Sequence, residues 1–248
     1  MCVVRFACVM CSLMAAVSSF GQGGPPMMTD DPGTPPVGKF ELNMAWTTSR
    51  NHESFEFELP LLDLSYGATP NLQLKIEGPW LTVREAGTSS HDLGPALVGV
   101  KWRFQEEANG RPAISTFPQI ETAINRRSVD LGLADPGLGL LLPVEVQWHR
   151  GRLGFNMDFG VVLRTGGQTE WFGGGAVSTE IAEGQELIAE LHFEGAFADR
   201  SHEAIAQIGY RRDLSESMTL LAAFGKGVQS SGTPPTRFAS YLGLQFRF

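Results

Sequence analysis

Arg237-Phe238-Ala239-Ser240-Tyr241-Leu242-Gly243-Leu244-Gln245-Phe246-Arg247-Phe248 is the stretch that decides the fold. Its even positions carry Phe238, Ser240, Leu242, Leu244, Phe246 and Phe248; its odd positions carry Arg237, Ala239, Tyr241, Gly243, Gln245 and Arg247. Successive side chains of a strand point to opposite faces. One face is therefore mostly apolar, and the other holds two arginines and a glutamine. The strand runs to the last residue and ends on an aromatic, as the closing strand of a membrane β-barrel does. That reading demands the same alternation back towards the N-terminus.

Eleven earlier segments supply it. The first, about 38–48, sets Phe40, Leu42, Met44 and Trp46 against Glu41 and Asn43. The second, about 54–66, places Phe55, Phe57, Leu59 and Leu61 on one face and then shifts parity to Leu62, Leu64 and Tyr66, which predicts a bulge beside Pro60. Further strands are expected over 71–83, 95–105, 112–124, 138–148, 152–164, 170–182, 186–197, 203–212 and 217–227. The fold class is all-β: a closed antiparallel up-and-down transmembrane β-barrel of about 12 strands over residues 38–248. Short turns are expected at Gly67–Pro70, Glu106–Arg111, His149–Gly151, Glu183–Gln185 and Asp213–Glu216, with longer outer loops at 84–94, 126–137 and 228–235.

Residues 1–21 have the pattern of a secretory signal peptide: Arg5, the apolar run Phe6 to Val17, and Ser19-Phe20-Gly21 before Gln22. All three cysteines (Cys2, Cys8 and Cys11) fall inside it, so neither disulfides nor thiolate metal sites are expected in the mature chain. Residues 22–37 are too rich in proline and glycine for regular structure. They are expected to form a leader that hangs in the periplasm or plugs the barrel mouth. Nothing after residue 21 offers the roughly 20 consecutive apolar residues of a spanning helix. The formal net charge of −8 argues against nucleic acid, whose binders present basic faces.

The aromatics give an independent test. With the first strand running outward, Trp46, Trp80 and Trp171 fall near outer ends, and Tyr66, Trp102, Phe104, Trp148, Tyr210, Phe246 and Phe248 near inner ends. Amphipathic rings gather in two such belts at the two faces of a bilayer. A soluble sandwich or lipocalin-like barrel shares the period of two but turns its apolar face inward. The signal peptide, terminal Phe248, missing cysteines and paired belts favour the membrane barrel, with lipid outside and water inside.

Pro25-Pro26-Met27-Met28-Thr29-Asp30-Asp31-Pro32, followed by Gly38-Lys39-Phe40-Glu41, resembles the opening of a family of bacterial outer-membrane proteins. These are labelled transporters, or proteins of the MetA pathway of phenol degradation. In that family a Pro-Pro…Thr-Asp-Asp-Pro leader precedes a Gly-x-x-Glu first strand. Leu64 to Leu72, Gly99 to Phe104 and Tyr241 to Phe246 are further, more generic echoes. The resemblance implies an outer-membrane barrel with a transport role, and it does not fix a substrate.

The candidate lumen-lining residues are Glu41, Glu56, Glu58, Lys75, Glu77, Lys101, Arg103, Glu121, Glu145, Asp158, Glu190, His192, Glu194, Arg211 and Arg247, with Glu180 beside them. Carboxylates outnumber bases, so an open lumen would prefer cations; mutual pairing across a closed one would conduct nothing. Asp30 and Asp31 would bind a cation, or plug the lumen by pairing with Lys101 or Arg103, or serve as an Asp-Pro turn device, the reading favoured here. Glu190, His192 and Glu194 share a face at roughly 7 Å steps, so a metal site would need ligands from neighbouring strands. A solvated lumen histidine is the expectation, with no metal and no cofactor.

A lipid-modifying enzyme would need a nucleophile beside a histidine. Ser89-Ser90-His91-Asp92 is the nearest candidate and is expected to be an outer loop. The function expected is therefore passage of small, hydrophobic or aromatic, solutes through an outer-membrane barrel. The alternative is a non-conducting structural or binding barrel. The partners expected are outer-membrane lipid, a small-molecule solute, and the barrel-assembly machinery through the strand ending at Phe248.

Overall fold

The alternation folds as fourteen antiparallel strand segments in the computed structural model, which describes residues 24–248. They are β1 (Phe40–Arg50), β2 (Ser54–Thr69), β3 (Leu72–Glu85), β4 (Thr88–Leu93), β5 (Pro95–Gln105), β6 (Ala113–Thr116), β7 (Gln119–Ala123), β8 (Leu138–Arg150), β9 (Leu153–Arg164), β10 (Glu170–Ala182), β11 (Gln185–Ala196), β12 (His202–Ser215), β13 (Met218–Ser231) and β14 (Phe238–Arg247). A short helix, α1 (Arg126–Asp130), lies between β7 and β8. The signal-peptide segment falls outside the described residues.

Two pairs of segments each act as one stave. β4 and β5 run end to end against β3, which pairs with both. β6 and β7 run end to end between β5 and β8. The remaining neighbours follow chain order, and β1 pairs with β14 as well as β2. The ring therefore closes with twelve staves, and β4, which pairs with β3 alone, stands beyond the closed part. At one end of the ring Phe40 and Phe248 exchange backbone hydrogen bonds of 2.8 and 3.0 Å, which brings β1 and the last residue together. We call this the terminal end, and the opposite one the loop end.

The faces settle which side is greasy. Asn43, Ser65, Gln73, Lys101, Ser115, Glu145, Asn156, Ser178, Gln207 and Gln245 are buried, whereas Ile76, Val98, Trp102, Phe159 and Leu242 on the other parity are exposed. The neighbours Gln207 and Ile208 make the contrast plain, at 7% and 65% exposed. A water-soluble barrel would show the reverse. This apolar exterior is the band that contacts acyl chains in a membrane barrel.

Rings cluster at both rims. Phe40 packs on Tyr66 and Phe248, Trp102 on Phe104, and Trp148 on Phe155 at the terminal end. Phe55 meets Phe57, Trp80 meets His91, and Phe224 meets Phe238 towards the loop end.

The register slips between Glu58 and Leu61, where Pro60 cannot donate to a ladder. This is the bulge that the parity shift required. Three sequence expectations change. The stretch 84–94 is not an open loop: β3 continues to Glu85 and returns as β4 through Ala86 and Gly87, both at positive φ, as the two centres of a tight hairpin turn require. The stretch 228–235 is strand as far as Ser231, so that loop is shorter. The strand expected over 112–124 breaks at Phe117-Pro118 into β6 and β7, because Pro118 has no N–H for the ladder. Inward parity survives the break, and Phe117 points into the lumen at 1% exposed.

Candidate functional site

The leader enters the barrel. Val37 bridges Gly67 and the Gly38 N–H donates to the Gly67 carbonyl at 2.8 Å, which pins the leader to the terminal end of β2. From there Asp31 to Gly24 run into the lumen and fold back in a turn in which Gly24 N–H donates to the Thr29 carbonyl at 2.9 Å. Gly67 leaves room for the passage: a Cβ there would run into the carbonyl oxygens of Pro35 and Pro36.

Charged wall residues hold the leader by its backbone. Glu190 accepts from the N–H groups of Thr29 at 2.5 Å and Met28 at 3.3 Å, and from Gln207 Nε2 at 2.7 Å. Asp158 accepts from Asp30 N–H at 3.2 Å. Arg211 donates to the carbonyls of Gly24 at 2.9 Å and Pro25 at 2.8 and 3.1 Å. Arg103 donates to Pro32 O at 3.2 Å and Pro70 O at 2.8 Å. An extended chain with no partner strand would otherwise bury bare peptide groups, which costs free energy. Met27 adds an apolar anchor, packed with Ala176, Ile188, Ala223 and Tyr241.

Lys101 is the hub. It is 2% exposed, pairs with Asp30 Oδ1 at 3.0 Å and Glu145 Oε2 at 3.3 Å, and donates to the Asp31 carbonyl. Its ammonium also lies 4.8 Å from the centre of the Phe117 ring. Burial works to raise the Asp30 carboxyl, but the ammoniums of Lys101 and Lys75 outweigh it and hold the group below its ordinary value. Burial prevails at Asp31, whose carboxyl is pushed up. Asp31 accepts from the Gly33 N–H through Oδ1, the Asx-turn device. The aspartate pair thus divides its roles: Asp30 pairs with the wall, and Asp31 shapes the turn.

The leader divides the lumen into two cavities. One, of about 920 Å³ at the terminal end, is lined by Glu41, Asp63, Lys75, Lys101, Arg211 and Arg247, with Glu180 at its margin. The other, of about 840 Å³, reaches the loop end and is lined by Glu58, Glu77, Glu145, Asp158, His192 and Glu194. Many charges inside are paired. Lys75 sits 3.4 Å from Asp63 and 2.7 Å from Glu77, and Arg247 sits 3.4 Å from Asp213. Arg211 lies 3.4 Å from Glu186, and Arg164 binds Glu121 and, at 3.1 Å, Glu170. Glu56 stands apart at the loop end, exposed, with Ser54 Oγ at 3.4 Å.

Two expectations need correction. His192 is not a solvated lumen histidine: it is 5% exposed and stacks on Phe172, ring centres 6.4 Å apart. Among the described residues no group of three His, Cys, Asp or Glu side chains is arranged to hold a metal. The segment Ser89-Ser90-His91-Asp92 lies in β4, not in a loop. Neighbouring residues of a strand face opposite ways, so exposed His91 packs on Trp80 while buried Asp92 accepts from Leu93 N–H at 2.8 Å. No His–Asp pair forms there.

Alternation overlooked the apolar part of the lumen. Leu61, Leu97, Leu141, Val162 and Phe172 line the loop-end cavity from inward positions. The available signal was leucine at the parity that carries lysine or glutamate farther along the same strand, as with Leu97 and Lys101 in β5.

No family model matches the sequence, and no curated protein matches it. Solved structures do resemble the fold. An outer membrane channel from Pseudomonas putida F1 superposes with a TM-score of 0.74 at 13% identity, over 88% of this chain and 98% of that one. The NanC porin gives 0.60 at 10% identity, over 83% and 98%. The KdgM porin gives 0.57 at 7% identity, over 83% and 99%. At such identities the likeness is one of fold. That fold is the outer-membrane β-barrel, and a closed barrel with this apolar exterior resides in an outer membrane.

Proposed function

We propose that this chain is an outer-membrane channel for small solutes, stoppered by its own leader. The carrying observation is the segment from Gly24 to Asp31 suspended across the lumen, with a cavity of about 840 Å³ on one side and about 920 Å³ on the other. A twelve-stave barrel is wider than side chains alone fill, and here the backbone of the leader takes up the difference. Displacing it would join the two cavities into one passage. The solved barrels of like fold include a channel and porins, which supports the same reading.

The resemblance of the leader and first strand to the MetA-pathway family supports apolar or aromatic cargo, and the inward leucines of the loop-end cavity suit such solutes. The strand ending at Phe248 is, in this reading, what the barrel-assembly machinery engages. A second reading, a closed binding barrel, draws on the density of bonds from Glu190, Lys101 and Arg211 to the leader.

Planar-bilayer conductance separates the two. Refolded full-length mature chain should open rarely and briefly, and a variant lacking residues 22–33 should conduct steadily, favouring K⁺ over Cl⁻. A variant without the leader that folds yet remains silent would defeat the channel reading.

A further inference from the structure

We propose that the loop-end cavity binds a small organic cation attached to an apolar or aromatic body. The inference deepens the channel reading by naming the charge of the cargo, and it rests on that reading only for where the ligand goes next.

Charge comes first. Glu58, Glu194 and Glu203 line the cavity, and among the described residues none of the three has an ion pair. Glu58 accepts from Thr47 Oγ1 at 2.5 Å, and Glu203 from Thr236 N–H at 2.6 Å and Oγ1 at 3.0 Å. Lys75 is the one lysine or arginine in the lining, and Asp63 and Glu77 already engage it. Walls of one sign enclosing a cleft concentrate the opposite sign.

Shape and polarity narrow the ligand. Leu61, Leu97, Leu141 and Met28 give the cavity apolar surface, and Phe172 and Tyr241 offer ring faces that attract alkylammonium groups. A bare metal ion would leave the apolar surface unused, and no three metal-ligating side chains converge among the described residues. An anion would meet repulsion, and a neutral hydrocarbon would gain the leucines and rings but strip water from the carboxylates without replacing it.

The test uses the mature full-length chain in lipid nanodiscs, with empty nanodiscs as the blank. Equilibrium dialysis compares benzyltrimethylammonium, its neutral carbon isostere neopentylbenzene, and phenylacetate. The cation should bind about tenfold or more tightly than either, the scale of one ion pair or cation–π contact. The double variant Glu58→Gln/Glu194→Gln should lose about tenfold for the cation and nothing for the isostere. Should that variant not fold, salt decides: raising ionic strength should weaken the cation alone. Equal binding of cation and isostere, or cation binding indifferent to both the variant and salt, overturns the inference. A leaderless barrel that stays silent in a bilayer while cation binding persists would instead end the channel reading alone.

Discussion

Lys101 Nζ lies 3.0 Å from the carboxylate of Asp30, so a buried strand residue and a half-buried leader residue 71 positions earlier share one ion pair. Glu145 completes the cluster from β8, held by Ser115 Oγ at 2.6 Å. Lys101 holds the leader through charge-assisted bonds to Asp30 and the Asp31 carbonyl, each contributing about 1.5–3 kcal/mol. Lys101→Met should therefore shift the leader out of its seat by about tenfold or more in equilibrium. Maleimide labelling of a reporter cysteine placed at Met27, which is 6% exposed in its seat, measures it: protected in the parent, reactive in the variant. Equal protection in both would contradict the role given to Lys101.

Glu190 and Glu194 lie four residues apart on β11 and share a face, yet it is Glu190 that accepts hydrogen bonds from the leader. Hydrogen bonds to a charged group contribute about 1.5–3 kcal/mol. Glu190→Ala should raise proteolysis of the leader roughly tenfold or more, while Glu194→Ala leaves it unchanged. Limited digestion followed by mass spectrometry distinguishes them.

The facing of the strands predicts an asymmetry between the neighbours Gln207 and Ile208. Ile208→Arg puts a charge among acyl chains and should destabilise the barrel by about 2–4 kcal/mol if it lies near the bilayer midplane. Gln207→Lys puts its charge inside the lumen beside the Glu190 carboxylate and should cost less. Reversible urea unfolding from lipid vesicles gives both values. A soluble-type packing would invert the order.

How much of this was legible in the sequence differs between wall and plug. The wall was legible because a period of two is local: Phe238 to Phe248 declare their faces without reference to any other strand, and Pro60 announces its own bulge. The break at Phe117-Pro118 was not, since Pro118 leaves the alternation intact and removes only hydrogen bonds. The plug was half legible. Asp30, Asp31, Lys101 and Arg103 could be named as candidates, but which carboxylate pairs with Lys101 depends on how far the leader climbs. That is set by Glu190, Arg211 and the Met27 pocket, on staves that chain order alone does not place around one point. The inward leucines were missed for a related reason: an apolar residue on the wet face reads as noise until Leu61, Leu97 and Leu141 are seen to meet.

The most direct test of a leader-stoppered channel ties the leader down. Met27 and Ala223 belong to one buried cluster, so Met27→Cys/Ala223→Cys, which places a thiol pair in a mature chain expected to have none of its own, should form a disulfide on oxidation. Single-channel recording of that variant should show a silent barrel when oxidised and one that opens on adding reductant, with neither single-cysteine variant responding. Steady conductance in the oxidised, cross-linked protein would show that solutes pass without the leader moving, and would contradict the account.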